Sequence, residues 1–96
     1  MPFFRVLLHG KDVHIPAAGS AVPIIGFYTT RVVRAASYET AEAAAIALVS
    51  AEWSKPPLSK QNKGAAPALK VEQVSQVTLL KALRAKNRGF TFYGQE

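Results

Sequence analysis

Cysteine is absent from this chain, methionine and tryptophan occur once each, and only 6 of the 96 residues are acidic. Without cysteine there is no disulfide, no thiolate nucleophile and no zinc site built on sulfur. Long apolar runs are missing too. No stretch approaches the roughly 20 residues that a membrane-spanning helix needs. The opening Met1-Pro2-Phe3-Phe4-Arg5 has neither a basic n-region nor a long h-region, so no signal peptide is expected. The expected location is the cytoplasm, with no membrane partner. Enzyme signatures are lacking as well: there is no Walker loop and no G-x-G-x-x-G. Gly19-Ser20 has no nucleophile-elbow context. Glu39 and Glu42 read as helix-start charges, because paired acid/base carboxylates need burial and opposed environments. A non-catalytic protein without a cofactor is the expectation.

What is present describes a globular domain. Apolar residues make up 49% and charged residues 19%, which is not the balance of a disordered chain. A chain of this length buries about 60–65% of its extended surface, enough for one core. Residues 1–96 are therefore read as a single domain. The net charge of +6 is unevenly placed. Eight basic residues lie between Lys55 and Arg88 against Glu72 alone; the remainder carries four basic and five acidic residues. Such a basic half fits an anionic partner or a solvated face.

The pattern along the chain gives an order of elements. Phe3 to His9 reads as a strand, Gly10-Lys11-Asp12 as a turn, and Val13-His14-Ile15 as a short returning arm. Pro16 to Pro23 is a loop. Ile24 to Ala36 is the longest β-like run. Alternation places Ile25, Phe27, Thr29, Arg31, Val33 and Ala35 on one face, and Ile24, Tyr28, Thr30, Val32 and Arg34 on the other. Gly26 marks a bulge or a close approach. Ser37 is the expected N-cap of a helix whose apolar stripe is Ala41, Ala45, Leu48, Val49 and Trp53, stopped by Pro56-Pro57. Ser54 to Pro67 is a basic loop with proline and glycine, long enough to suggest a functional or mobile connection. Val71, Val74 and Val77 recur every three residues, which hints at helix. Branched content favours instead a strand with a bulge over 70–80. Residues 79–88 form a basic helical turn, and Phe90 to Tyr93 the last strand. The expected fold is α+β: a mainly antiparallel sheet of about four strands with one long helix on one face, a two-layer sandwich. One helix leaves the far face of the sheet uncovered, so a homodimer through that face is expected.

Few residues offer chemistry. His9 and His14 flank Asp12, but a third ligand is missing, so no metal is expected. Thr29, Thr30, Arg31 and Arg34 could line an anion pocket, although Arg31 and Arg34 point to opposite strand faces. Lys81, Arg84, Lys86 and Arg88 are the candidate residues for binding RNA or DNA through their phosphates.

Arg88-Gly89-Phe90-Thr91-Phe92 resembles the start of the aromatic signature of the RNA-recognition motif, which implies base stacking on Phe90 and Phe92. The favoured expectation is core packing of both rings on Leu48 and Val49. Residues 24–49, with their Gly-Phe-Tyr strand and Ala-rich helix, resemble small uncharacterised bacterial α+β proteins, and the Gly-Phe-Thr-Phe-Tyr ending fits them. The same layout is similar in fold to HicB-like antitoxin domains. Neither resemblance implies a functional residue. The functional expectation is a small module that acts by self-association and by binding a protein partner. The alternative is nucleic-acid binding by the basic 55–88 segment.

Overall fold

A computed structural model of the chain describes residues 2–16, 23–64, 66–85 and 89–94. The elements in chain order are β1 (Phe3–Ile15), β2 (Ile24–Arg34), α1 (Tyr38–Trp53), α2 (Leu58–Gln61), β3 (Ala68–Val77), α3 (Leu79–Arg84) and β4 (Thr91–Gly94). The strands form one sheet in the order β3-β1-β2-β4, with every neighbouring pair antiparallel. The fold is α+β with a four-stranded open sheet.

Alternation decides which face is covered. Phe4, Val6, Leu8, Phe27, Val33 and Ala35 project to one side and are buried with Ala41, Ala45, Val49 and Trp53 of α1. Alanine at 41 and 45 lets the helix backbone approach the sheet closely. Its N-terminus is closed by a capping box: Ser37 accepts from the Thr40 backbone N–H, while the Thr40 hydroxyl accepts from the Ser37 N–H. Leu48 does not join the stripe expected of it and is 44% exposed. Each step of four residues advances about 40° around a helix axis. The buried row 41, 45, 49, 53 therefore turns away from position 48.

β1 corrects the expected hairpin. Gly10-Lys11-Asp12 does not reverse the chain; β1 continues to Ile15. Asp12 takes φ +67°, a left-handed conformation that Asp tolerates, and the pairing with β2 shifts register between Lys11 and Ile15. Gly10 is required by packing, since a Cβ there would overlap the Phe27 ring. Turn-forming residues thus build an irregularity within a strand.

β3 is a strand with a bulge, as the branched residues indicated. Its register against β1 shifts between Leu7 and Leu8. The extra residue brings Val71 and Val74, three apart, against the same core, which accounts for the helix-like spacing. The connection from 54 to 67 is not simply a loop. It contains α2, whose Leu58 packs on the core. Lys63 N–H donates to the His14 carbonyl at 2.6 Å, and Asn62 Oδ1 accepts from His14 N–H at 2.8 Å. Among the described residues no helix is long and apolar enough to cross a membrane.

Candidate functional site

Among the described residues the inner face buries two polar side chains, Thr29 and Arg31. Arg31 is 1% exposed. Its Nη2 donates to Glu52 Oε2 at 2.8 Å, and its Nη1 to Thr29 Oγ1 and to the Gly89 carbonyl. Thr29 also donates to the Gly89 carbonyl, at 2.7 Å. The guanidinium lies over the Phe90 ring, 5.1 Å from its centroid. Arg31 and Arg34 do face opposite ways, and Arg34 is exposed. Arg31, already paired with a carboxylate, is a tie between α1 and the chain entering β4, and the described residues form no anion pocket around it.

Phe90 and Phe92 join this inner side. Phe90 meets the Phe27 ring edge-on at 5.1 Å, and Trp53 stacks on Phe27 at 4.9 Å. The two phenylalanines therefore pack on Phe27 and Trp53, where contact with Leu48 and Val49 was expected. Leu48 has turned outward, and β4 lies beside the C-terminal end of α1. Phe92 remains 38% exposed.

The outer face carries a group that the sequence did not announce. Cross-strand register aligns Lys70, His9 and Tyr28 on neighbouring strands, and places Tyr93 against Gly26. The Tyr93 ring lies where a side chain at position 26 would stand, so Gly26 is indeed a close approach. His9 stacks on Tyr28, with centroids 4.4 Å apart and planes 11° from parallel. Its Nε2 is 2.6 Å from Tyr93 Oη, and its Nδ1 is 3.5 Å from Glu72 Oε1. One tautomer serves both neighbours. A proton on Nδ1 faces the carboxylate, and Nε2 accepts from the phenol; the other tautomer would turn a lone pair toward Glu72. Each strand contributes one member: Glu72 from β3, His9 from β1, Tyr28 from β2 and Tyr93 from β4.

Around the rings the same face exposes Arg5, Lys11, Arg34 and Lys70, and it carries the acidic Glu72. β4 pairs with β2 only as far as Tyr28 with Thr91. Beyond that pair the chain is drawn inward by the bonds to the Gly89 carbonyl, and the sheet forks. A cleft of about 330 Å³ opens at the fork, between Leu7, Tyr28 and Thr30 on one side and Gly89, Phe90 and Thr91 on the other.

The residues singled out from sequence are dispersed. Lys81 and Arg84 are exposed on α3, three positions apart, beside Leu79, Leu80 and Leu83, which are 57–74% exposed. Lys86 and Arg88 lie outside the described residues. The described cations of the 55–88 segment do not form one patch. Lys63 binds at the His14 end of β1, whereas α3 follows Val77, which pairs with Phe3 at the opposite end. His9 and His14 sit on one continuous strand, and no group of three or more His, Asp or Glu converges among the described residues.

No known protein family, curated protein or solved structure matches the chain. The likeness to HicB-like domains and to small bacterial proteins therefore rests on the sequence features alone.

Proposed function

We propose that the protein is a small binding module for single-stranded nucleic acid, working through the uncovered face of its sheet. The observation that carries this is the His9–Tyr28 stack at 4.4 Å, with Tyr93 beside it, at the centre of a face rimmed by Arg5, Lys11, Arg34 and Lys70. Rings supply sequence-tolerant stacking, about 1–3 kcal/mol per base. Cations track the phosphates. Tyr28 is 41% exposed, so a base can reach it. Anisotropy titration of a labelled single-stranded dodecamer at moderate salt tests the proposal. Tyr28→Ala should weaken binding about tenfold, within the range of one lost stacking contact. Unchanged affinity in a folded Tyr28→Ala protein would refute it.

A second use of the same face is self-association, alone or with a protein partner. It is favoured by the half-buried apolar Phe3, Leu7 and Val77 there. Against it stands charge. A two-fold contact brings Arg5, Lys11, Arg34 and Lys70 against an identical set of cations, and like charges across an interface are unfavourable. Light scattering at high micromolar concentration separates the two. A dimer that single strands do not dissociate would favour association over strand binding.

A further inference from the structure

The cleft beside Tyr28 is lined mostly by residues outside the ring group. We infer that it is a seat for one nucleobase turned out of the strand, a site distinct from the stacking platform though resting on the strand-binding reading above. Three observations converge on it. Its size, about 330 Å³, is at the small end of the roughly 300–1,000 Å³ typical of ligand sites, suited to a single heterocycle. Tyr28 belongs both to the ring group and to the cleft wall, so a base entering the cleft remains continuous with the platform. The cleft lining also combines the apolar Leu7 with the hydroxyls of Thr30 and Thr91.

The inner groups at the fork are already engaged. The Gly89 carbonyl accepts from both Thr29 and Arg31, and the Thr29 hydroxyl proton is used in that bond. The fork is therefore held open from the core side and does not depend on the ligand. Thr30 and Thr91 remain to meet a base edge. A hydroxyl both donates and accepts, so this rim satisfies the edge of any base. The seat distinguishes a base from a bare sugar, and does not distinguish one base from another. Positional selectivity without sequence selectivity is the expected behaviour of the site.

The test uses the full chain and three octamers: one fully based, one carrying a single thymine among abasic sugars, and one wholly abasic. All three have the same phosphates, so their differences report bases alone. The single-thymine strand should bind the native protein about tenfold tighter than the abasic strand, the size of one stacked base. Thr30→Leu with Thr91→Leu, both at exposed strand positions, fills the cleft with aliphatic groups. It should shrink that difference several-fold, to what stacking on the open platform alone supplies, and leave the abasic affinity unchanged. If the single-thymine advantage survives undiminished in the filled, folded variant, the base sits on the open platform. The seat is then wrong while strand binding stands. If the fully based octamer binds the native protein no better than the abasic one, base recognition fails altogether, and both proposals fall. Should the double variant not fold, Thr30→Val keeps the shape and removes one rim hydroxyl. It should reduce the single-thymine advantage several-fold, and an unchanged advantage there overturns the seat.

Discussion

Arg31 places a full charge 1% exposed beneath α1, while its partner Glu52 keeps 40% of its side-chain surface in water. That asymmetry fixes how the pair responds to mutation. Glu52→Ala leaves a guanidinium in the interior with only neutral acceptors and should cost about 2 kcal/mol. This is below the ~3–5 kcal/mol of a fully buried pair, because solvent already screens the carboxylate. Arg31→Met keeps an apolar stem and removes the charge, so it should cost less than Glu52→Ala. Urea unfolding at constant slope reads both. The reverse order would mean that the carboxylate is dispensable and the stem packing dominates. On the outer face Gly26 sets a different constraint. A methyl group there meets the far end of the Tyr93 ring, which can swing aside. Gly26→Ala should cost about 1 kcal/mol, the size of one lost hydrogen bond. It should also change the His9 ring-nitrogen chemical shifts while the rest of the spectrum persists.

β4 is the shortest strand, four residues paired with β2 alone, so side chains must hold it. Phe90 does most of this through Phe27, Trp53 and Arg31. Phe90→Ala should destabilise by about 2 kcal/mol, under the ~3–5 kcal/mol of a fully buried phenylalanine, and speed amide exchange at 91–94. Phe92→Ala should cost less, since Phe92 is 38% exposed, and should leave strand binding intact; loss of binding there would return the stacking role to the Phe90–Phe92 pair. Local pattern was enough to find α1, its cap, the two faces of β2 and the bulged β3, because each depends on neighbours in the chain. Gly10-Lys11-Asp12 misled because turn residues serve a bulge as well as a reversal, and only the β1–β2 register decides. The ring group was illegible for the same reason. Tyr28 could be assigned to the outer face, but that Glu72, His9 and Tyr93 arrive beside it depends on pairing across 84 residues of sequence between His9 and Tyr93.

For the molecule as a whole, the question is where +6 of net charge acts. Sequence grouped the cations between 55 and 88. Folding separates the described members of that group to opposite ends of β1 and brings one of them, Lys70, together with Arg5, Lys11 and Arg34 on the open face. Only cations that touch phosphates release counterions, so the salt dependence of binding identifies them. For single strands log K falls with log salt by about 0.7 per phosphate neutralised. Arg5→Gln with Arg34→Gln should therefore flatten the slope by about 1.4, with unfolding midpoints little changed, as expected of exposed sites. Lys81→Gln with Arg84→Gln removes the same charge from the exposed surface of α3. If the open face is the binding surface, that pair should lower affinity slightly through the long-range field and leave the slope intact. A flattened slope in the α3 variant, with no change in the face variant, would move the binding surface to the helix that the sequence first indicated. Because the two double variants carry equal net charge, the comparison separates contact from overall attraction, which a single basic-to-neutral change cannot do.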